Sequence, residues 1–377
     1  MSAPLEGIKV VELARILAGP WAGQVLADLG AEVIKVEAPL GDDTRRWGPP
    51  FIAREGDGPE NRSAAYFHAT NRGKRSVSAD FTTPEGQKIV RDLVADADVV
   101  IENFKLGGLA KYGLDYASLS ALNPRLVYCS ITGFGQDGPY ASRAGYDFLI
   151  QGMAGWMDLT GDPLGQPQKM GVAFADIFTG LYSVIGIQAA LAARARTGRG
   201  QLVDMALLDC AVGVLANQGM NFLATGRAPT RLGNAHPNIA PYEVLSAADG
   251  DLILAVGNDG QFARLCALLG LDLADDPDFA TNEARVAHRD RLRPMLSAVL
   301  ARWSRDALLG ALEAATVPAG PINSVDQVFA DPQVQARGMV TSAGGIPGIR
   351  TPIRLSDTPL ADPRPAPKLS PRPPSSS

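Results

Sequence analysis

The sequence predicts an α/β protein, a parallel sheet covered by helices and followed by a smaller α+β region. Two observations lead there. Four short apolar runs, at 8–13, 31–37, 98–102 and 126–132, alternate with segments of helical character. Strands separated in this way need helical crossovers and so form a parallel sheet. From 171 to about 223 the pattern turns helical, and a hairpin pattern at 241–256 is then followed by helices. At 377 residues and roughly 150 per domain, the chain has room for two or three domains.

Each element has a local reason. Residues 8–13 (IKVVEL) are an apolar run of strand length. Residues 18–30 (AGPWAGQVLADLG) follow as a helix, with Pro20 near the first turn, where a missing N–H is tolerated, and a closing glycine. Residues 31–37 (AEVIKVE) give the second strand. Thr82 or Thr83 caps a helix opening at Pro84 and running to about Ala95, with Thr82 and Glu85 at capping-box spacing. The third strand is 98–102 (DVVIE). A short helix before Pro124 leads into the fourth, 126–132 (LVYCSIT), which leaves through glycines. From 171 to about 223 the pattern is helical, interrupted by TGRGQ at 197–201. The longest uncharged stretch, 177–193, falls short of a typical membrane span and reads as a buried helix. Within 241–256, PYEVLSA and DLILAV flank Asp249-Gly250, a dipeptide that supplies the positive φ values of a type I′ turn. Helices follow at about 260–269, 289–303 and 305–315. The proline-rich tail, 359–377, is expected to be mobile. Forty glycines and 28 prolines fit a fold of many tight turns.

Composition narrows the function. Hydrophobic residues make up 46% of the chain, which excludes disorder for most of its length. A net charge of −5 argues against a nucleic-acid binder, whose footprint is a basic surplus. Cys129, Cys210 and Cys266 are far apart and contain no C-x-x-C pair, so neither a disulfide framework nor a zinc site is expected. His68, His236 and His288 lack metal-ligand spacing, and no metal is expected. The N-terminal MSAPLEGIKVVEL has no basic stretch followed by an apolar core, so a cytoplasmic protein is expected.

The strand–turn–helix–strand at 8–37 invites a dinucleotide-binding reading, which the residues oppose. That fingerprint needs G-x-G-x-x-G to bring backbone amides against a pyrophosphate. Here Pro20 removes an amide and Trp21 fills the space that glycine leaves open. A different set of segments is more specific when taken together: ILAGPWAGQVLADLGAEVIKVE, GDDTRRWGPP (41–50), NRGKRS (71–76), IENF (101–104), ITGFGQDGP (131–139), RAGYD (143–147), GVAFADIFTGLY (171–182), TGRGQLVDMALLD (197–209), GNAHPNIAPYEVL (233–245) and VPAGPINSVDQVFADPQ (317–333). Their order and spacing resemble the family III coenzyme A transferases over about residues 5–355. Within that family, GDDTRRWGPPF, YCSITGFGQDGP and GNAHPNIAPY resemble the succinyl-CoA:dicarboxylate enzymes.

The resemblance implies a Rossmann-like large domain (1–200, completed by about 335–377), a helical linker (201–225), a small α+β domain (226–325) and an interlocked homodimer. It implies no permanently bound cofactor, a coenzyme A thioester as substrate, and transfer of CoA to a carboxylic acid. It places the catalytic carboxylate at Asp176, which stands directly before an apolar helix and is expected to be its N-cap. An enzyme carboxylate can carry the acyl group between two acids without a cofactor. The difficulty is basicity: Asp, near 3.9, and a thiol, near 8.5, differ by about 4–5 units, on the order of 6 kcal/mol. Leu17 and Ala18 would offer backbone to CoA, Asn103 and Phe104 would line its pocket, and Tyr146 would lie beside it. Lys74, Arg75, Lys111 and Arg143 are the expected phosphate ligands, with Arg45 or Arg46 on the adenine side. His236 and Asn238 are the expected contacts of the acceptor carboxylate. Two alternatives remain. An α-methylacyl-CoA racemase would need a second base where this chain has Tyr146, and a silent CoA-binding subunit would not need Asp176.

Overall fold

A computed structural model describes residues 2–54, 58 and 62–370. The chain forms two compact units, one from Met1–Gly155, Met170–Ala216 and Pro332–Ser377, the other from Trp156–Lys169 and Asn217–Asp331.

The first unit opens with β1 (Lys9–Glu12), α1 (Ala18–Asp28) and β2 (Glu32–Glu37). A minimal pairing of β3 (Phe51–Ile52) with β4 (Ser63–Ala64) precedes α2 (Ala65–Asn71) and β5 (Arg75–Ser78). Then come α3 (Pro84–Val94), β6 (Val99–Glu102), α4 (Tyr116–Leu122), β7 (Val127–Thr132) and α5 (Asp147–Met153). After α6 (Trp156–Leu159), which belongs to the second unit, the first resumes with α7 (Phe174–Thr197), β8 (Leu202–Ala206) and α8 (Leu207–Gly213). Thr83 is the cap of α3, accepting from the Gly86 amide at 3.2 Å, while Thr82 turns back to Asp80.

Six strands form one parallel sheet in the order β5-β2-β1-β6-β7-β8. One face is closed by α3 and α4, through Val11, Val36, Val90, Val94, Val100, Leu119 and Leu126. On the other, α1 lies against α7, where a side chain at Gly180 would strike the Ala18 carbonyl. From β1 the chain builds outward to β2 and returns to add β6 on the opposite side. Such a reversal opens a crevice beyond the carboxyl ends of the strands.

Several expectations are corrected. The segment 201–225, expected to be a helical linker, contains β8, the sixth strand of the sheet. Segment 156–169, expected in the large domain, belongs to the second unit. The tail, expected to be mobile from 359, is a docked strap as far as residue 370. Gly73 and Arg364 exchange hydrogen bonds at 2.9 and 2.8 Å, the Pro367 carbonyl accepts from Arg45 at 3.1 Å, and Ser370 donates to the Ser76 carbonyl. Residues 371–377 lie outside the described residues.

The second unit carries α9 (Ala216–Thr225) and the antiparallel sheet of β9 (Tyr242–Ser246), β10 (Asp251–Ala255) and β11 (Ala319–Pro321), with α10 (Asp259–Leu269), α11 (Asn282–Ala287), α12 (Arg289–Leu300) and α13 (Arg305–Ala314). Leu252, Leu254, Phe262, Leu265, Leu296 and Leu308 fill its core. The hairpin is present but not its expected turn: Ser246 pairs with Asp251, leaving a four-residue loop in which neither Asp249 nor Gly250 has positive φ. The two-residue pattern occurs instead in the first unit, between β12 (Val340–Ala343) and β13 (Ile346–Ile349), where Gly344 and Gly345 have φ of 57° and 76°.

Candidate active site

A cleft of about 580 Å³ lies in the first unit beyond the carboxyl ends of β1, β2, β6 and β7. Of the residues singled out in the sequence, Leu17, Ala18, Asn103, Phe104, Lys111, Arg143, Tyr146 and Asp176 all line it. Lys111 lies over the Tyr112 ring at 4.7 Å, and Arg143 stacks on Tyr140 at 4.5 Å and Phe134 at 5.3 Å. Neither has an ion-pair partner among the described residues.

Charges buried inside the strands brace the wall formed by Leu17 and Ala18. Glu12, at the end of β1, meets Lys35 at 3.0 Å and Lys74 at 2.8 Å. Lys35 also reaches Asp42 at 2.9 Å and donates to the Ala14 carbonyl at 2.9 Å. Asp42 accepts from the Ile16 amide at 3.3 Å, and Asn103 clamps Arg15 by accepting from its amide and donating to its carbonyl, at 2.9 and 2.7 Å. The turn needs this support because Ile16 has φ of 74°, a left-handed conformation that a β-branched side chain disfavours.

Lys74 is therefore not a phosphate ligand. Its side chain is fully buried, and its ammonium donates to Glu12, the Pro20 carbonyl and Asn71. Burial pushes it down to about 8 against the pull of Glu12. Arg75 stands on the sheet's edge strand beside Glu32, away from the cleft lining. Arg45 is also committed: it grips Glu37 with two hydrogen bonds of 2.8 and 2.7 Å and lies over the Phe67 ring at 3.7 Å. Arg46 pairs with Asp43 on the surface.

Asp176 is the third residue of α7, and Ala173 is the cap position, so the expectation that Asp176 caps the helix is wrong. Asp147, at the start of α5, performs that task from outside. Its Oδ1 accepts from the Ala175 amide at 2.9 Å and the Asp176 amide at 3.4 Å. Its Oδ2 accepts from Gln151 at 2.8 Å, and Gln151 accepts in turn from the Met170 amide at 2.9 Å. Asp147 reaches α7 because the loops bearing Gly133 and Gly145 cross with no room for a side chain at either residue. The Asp176 carboxyl is pushed up to about 7, chiefly by burial and then by Asp147.

The cleft thus brings together the Asp176 carboxyl and two cations, Lys111 and Arg143, that have no ion-pair partner among the described residues. The profile of CoA-transferase family III matches residues 5–371. The chain belongs to that family. Succinate–glutarate CoA-transferase of Agrobacterium fabrum strain C58 is 65% identical over 97% of this chain and 93% of its own length. Human succinyl-CoA:glutarate CoA-transferase is 40% identical, over 97% and 83%. The crystal structure of a CAIB/BAIF family protein from Brucella suis superposes with a TM-score of 0.88 at 66% identity, covering 98% of this chain and 97% of that one.

In this CoA-transferase the two expected acceptor contacts belong to the second unit. The His236 ring lies 5.3 Å from Tyr242, and its Nδ1 accepts from the Asn238 amide at 3.1 Å. Asn238 accepts from Asn217 and Asn221, each at 3.0 Å. Two residues beside Asp176, and one lining a neighbouring pocket, were not singled out as site residues in the sequence. Tyr66 on α2 is pushed up to about 12 by burial, then by Asp176 and Asp147. Asp147 is the external cap. Glu102, at the end of β6, accepts from the Phe104 amide at 2.8 Å, and burial pushes it up to about 7. Glu102 has a sequence signal, an acid inside an otherwise apolar central strand. Asp147 stands in RAGYD, but nothing in that segment tells that it caps a helix 28 and 29 residues further on.

Proposed function

We propose that this transferase moves CoA from succinyl-CoA to a dicarboxylic acid of about the size of glutarate, with Asp176 carrying the acyl group. The supporting observation is a partly buried carboxyl near neutrality that opens into the cleft. The names of the similar enzymes supply the substrate class.

The Asp176 carboxylate attacks the thioester carbon, and the C–S bond breaks to give an aspartyl–succinyl anhydride and CoA thiolate. The thiolate attacks the aspartyl carbonyl, releasing succinate and leaving an aspartyl-CoA thioester. The acceptor carboxylate attacks that thioester and regenerates thiolate and a second anhydride. Thiolate then attacks the acceptor's acyl carbon, freeing Asp176 and the new acyl-CoA. No net proton is taken up. Lys111 and Arg143 stand at the wall for the CoA phosphates. A cytoplasmic location and a homodimer complete the reading. The dimer is supported by exposed apolar residues on α5 and α7, among them Phe148, Leu149, Leu181, Tyr182 and Ile185.

The test is incubation with succinyl-CoA followed by hydroxylamine and peptide mapping, alongside exchange assays with glutarate and a panel of other acids. The expected result is a hydroxamate at Asp176, new acyl-CoA with glutarate, and loss of both in Asp176→Asn. Exchange that survives in Asp176→Asn, or no exchange with any acid, overturns the proposal.

A further inference from the structure

A carboxylate in the first turn of a helix ordinarily draws on the free amides there, and becomes more acidic and less nucleophilic as a result. In α7 those amides are taken. The second and third amides of the helix, those of Ala175 and Asp176, both point at Oδ1 of Asp147. They are the donors that a capping side chain on Ala173 would have satisfied. Both oxygens of Asp147 are held, the second by Gln151, which is itself fully buried and fixed by the Met170 amide. No hydrogen-bond donor among the described residues reaches the carboxylate oxygens of Asp176.

We propose that Asp147 is a positioning residue, which occupies the amides at the start of α7, denies them to Asp176 and leaves the nucleophile's carboxylate undonated toward the cleft. The inference rests on the reading of Asp176 as acyl carrier. Its chemical effect bears on the mismatch between acid and thiol. An unperturbed aspartate lies about 4–5 units below a thiol. A carboxyl deprived of donors and placed beside a second negative charge closes much of that gap, so the anhydride forms less far uphill.

The surroundings leave Asp147 as the charge that acts. From α2, Tyr66 is a phenol pushed up to about 12 and stays neutral over the working range. From α8, Cys210 lies against Thr179, its thiol pushed up by burial. From α1, Trp21 packs at Gly180 and carries no charge.

The experiment titrates Asp176 directly, by carbon NMR of full-length protein labelled at the aspartate carboxyl, with Asp176→Asn identifying its signal. Asp147→Asn keeps an acceptor for the two amides and removes the charge, at the cost of setting its NH2 against that of Gln151, whose oxygen the Met170 amide holds. The expected result is a midpoint near 7 in the native protein that falls by about half a unit or more in the variant. The acid limb of kcat/KM for succinyl-CoA should fall with it, and kcat should drop about tenfold while KM changes little. An unchanged midpoint overturns the proposal, since a purely structural cap leaves it in place. Should Asp147→Asn not fold, Gln151→Leu releases Asp147 without removing charge. It should speed hydrogen exchange at the Ala175 and Asp176 amides and lower the midpoint by less, and no change in either measure again overturns the proposal. The titration is independent of turnover. A shifted midpoint in a protein that exchanges no CoA therefore supports the role of Asp147 while sinking the activity.

Discussion

In its proposed role, Asp176 is costly to the fold and useful to the reaction. Its carboxyl sits near 7 in the folded chain against 3.8 when free, so the folded state holds its proton more tightly than the unfolded state. Stability from this group is complete below about pH 4 and is lost as the pH rises toward 7. Asp176→Asn should therefore be more stable than the native protein at pH 8, by on the order of 1–3 kcal/mol, and the difference should close as the pH falls toward 4. Thermal unfolding across that range checks it, and a constant difference would sink the linkage. The same titration sets the sign for activity: transfer needs the carboxylate, so kcat/KM rises with pH through the neighbourhood of 7. GVAFADIFTGLY pointed to Asp176 through the family resemblance, but its position within the helix was not legible there. Capping is a matter of which amide meets which oxygen, and the oxygen comes from Asp147, on another helix.

Among the elements, the cleft is built by loops while its rigidity comes from charges inside strands. Glu12, Lys35 and Lys74 lie within or beside apolar strands and are fully buried or nearly so. A buried ion pair that loses one partner leaves an unpaired charge in a poor solvent. Lys74→Met should cost about 2–4 kcal/mol in urea unfolding, whereas Arg75→Ala, on the sheet's edge, should change stability by less than about 0.5 kcal/mol. Equal losses would contradict the structural role of Lys74. NRGKRS did not separate the two, because which of two adjacent residues faces inward depends on the register of β5 with β2. The central strands β1, β2, β6 and β7 were legible because both their faces are covered and their apolar runs are nearly continuous. The edge strands β5 and β8 were not. Each has one neighbour and half-exposed residues, and β8 (LVDMA) follows TGRGQ with no contrast against the helices around it.

At the scale of the whole molecule, α7 is the least conventional element. It is 24 residues long and apolar enough to cross a membrane by composition, yet Thr179, Ser183, Ile187 and Ala190 bury one side of it. The expectation of a buried helix holds for that side only, since Leu181, Tyr182 and Ile185 are exposed on the other. A face of this kind calls for cover. Light scattering should find a particle of twice the chain mass that persists on dilution to nanomolar concentration, and a monomer would remove the dimer from the reading. The discontinuous large unit was legible only through resemblance, because no local pattern says that residues beyond 332 return to a sheet begun at residue 9. That return has a consequence in time. The strap at 361–370 lies along Gly73–Ser76 and fixes Arg45 through Pro367. On a translating ribosome the strand it covers lacks this partner until residues 361–370 have been made, after those of the second unit. The first part of the chain to be synthesised is thus among the last to be sealed, and the order of synthesis runs opposite to the order in which the sheet's edge is closed.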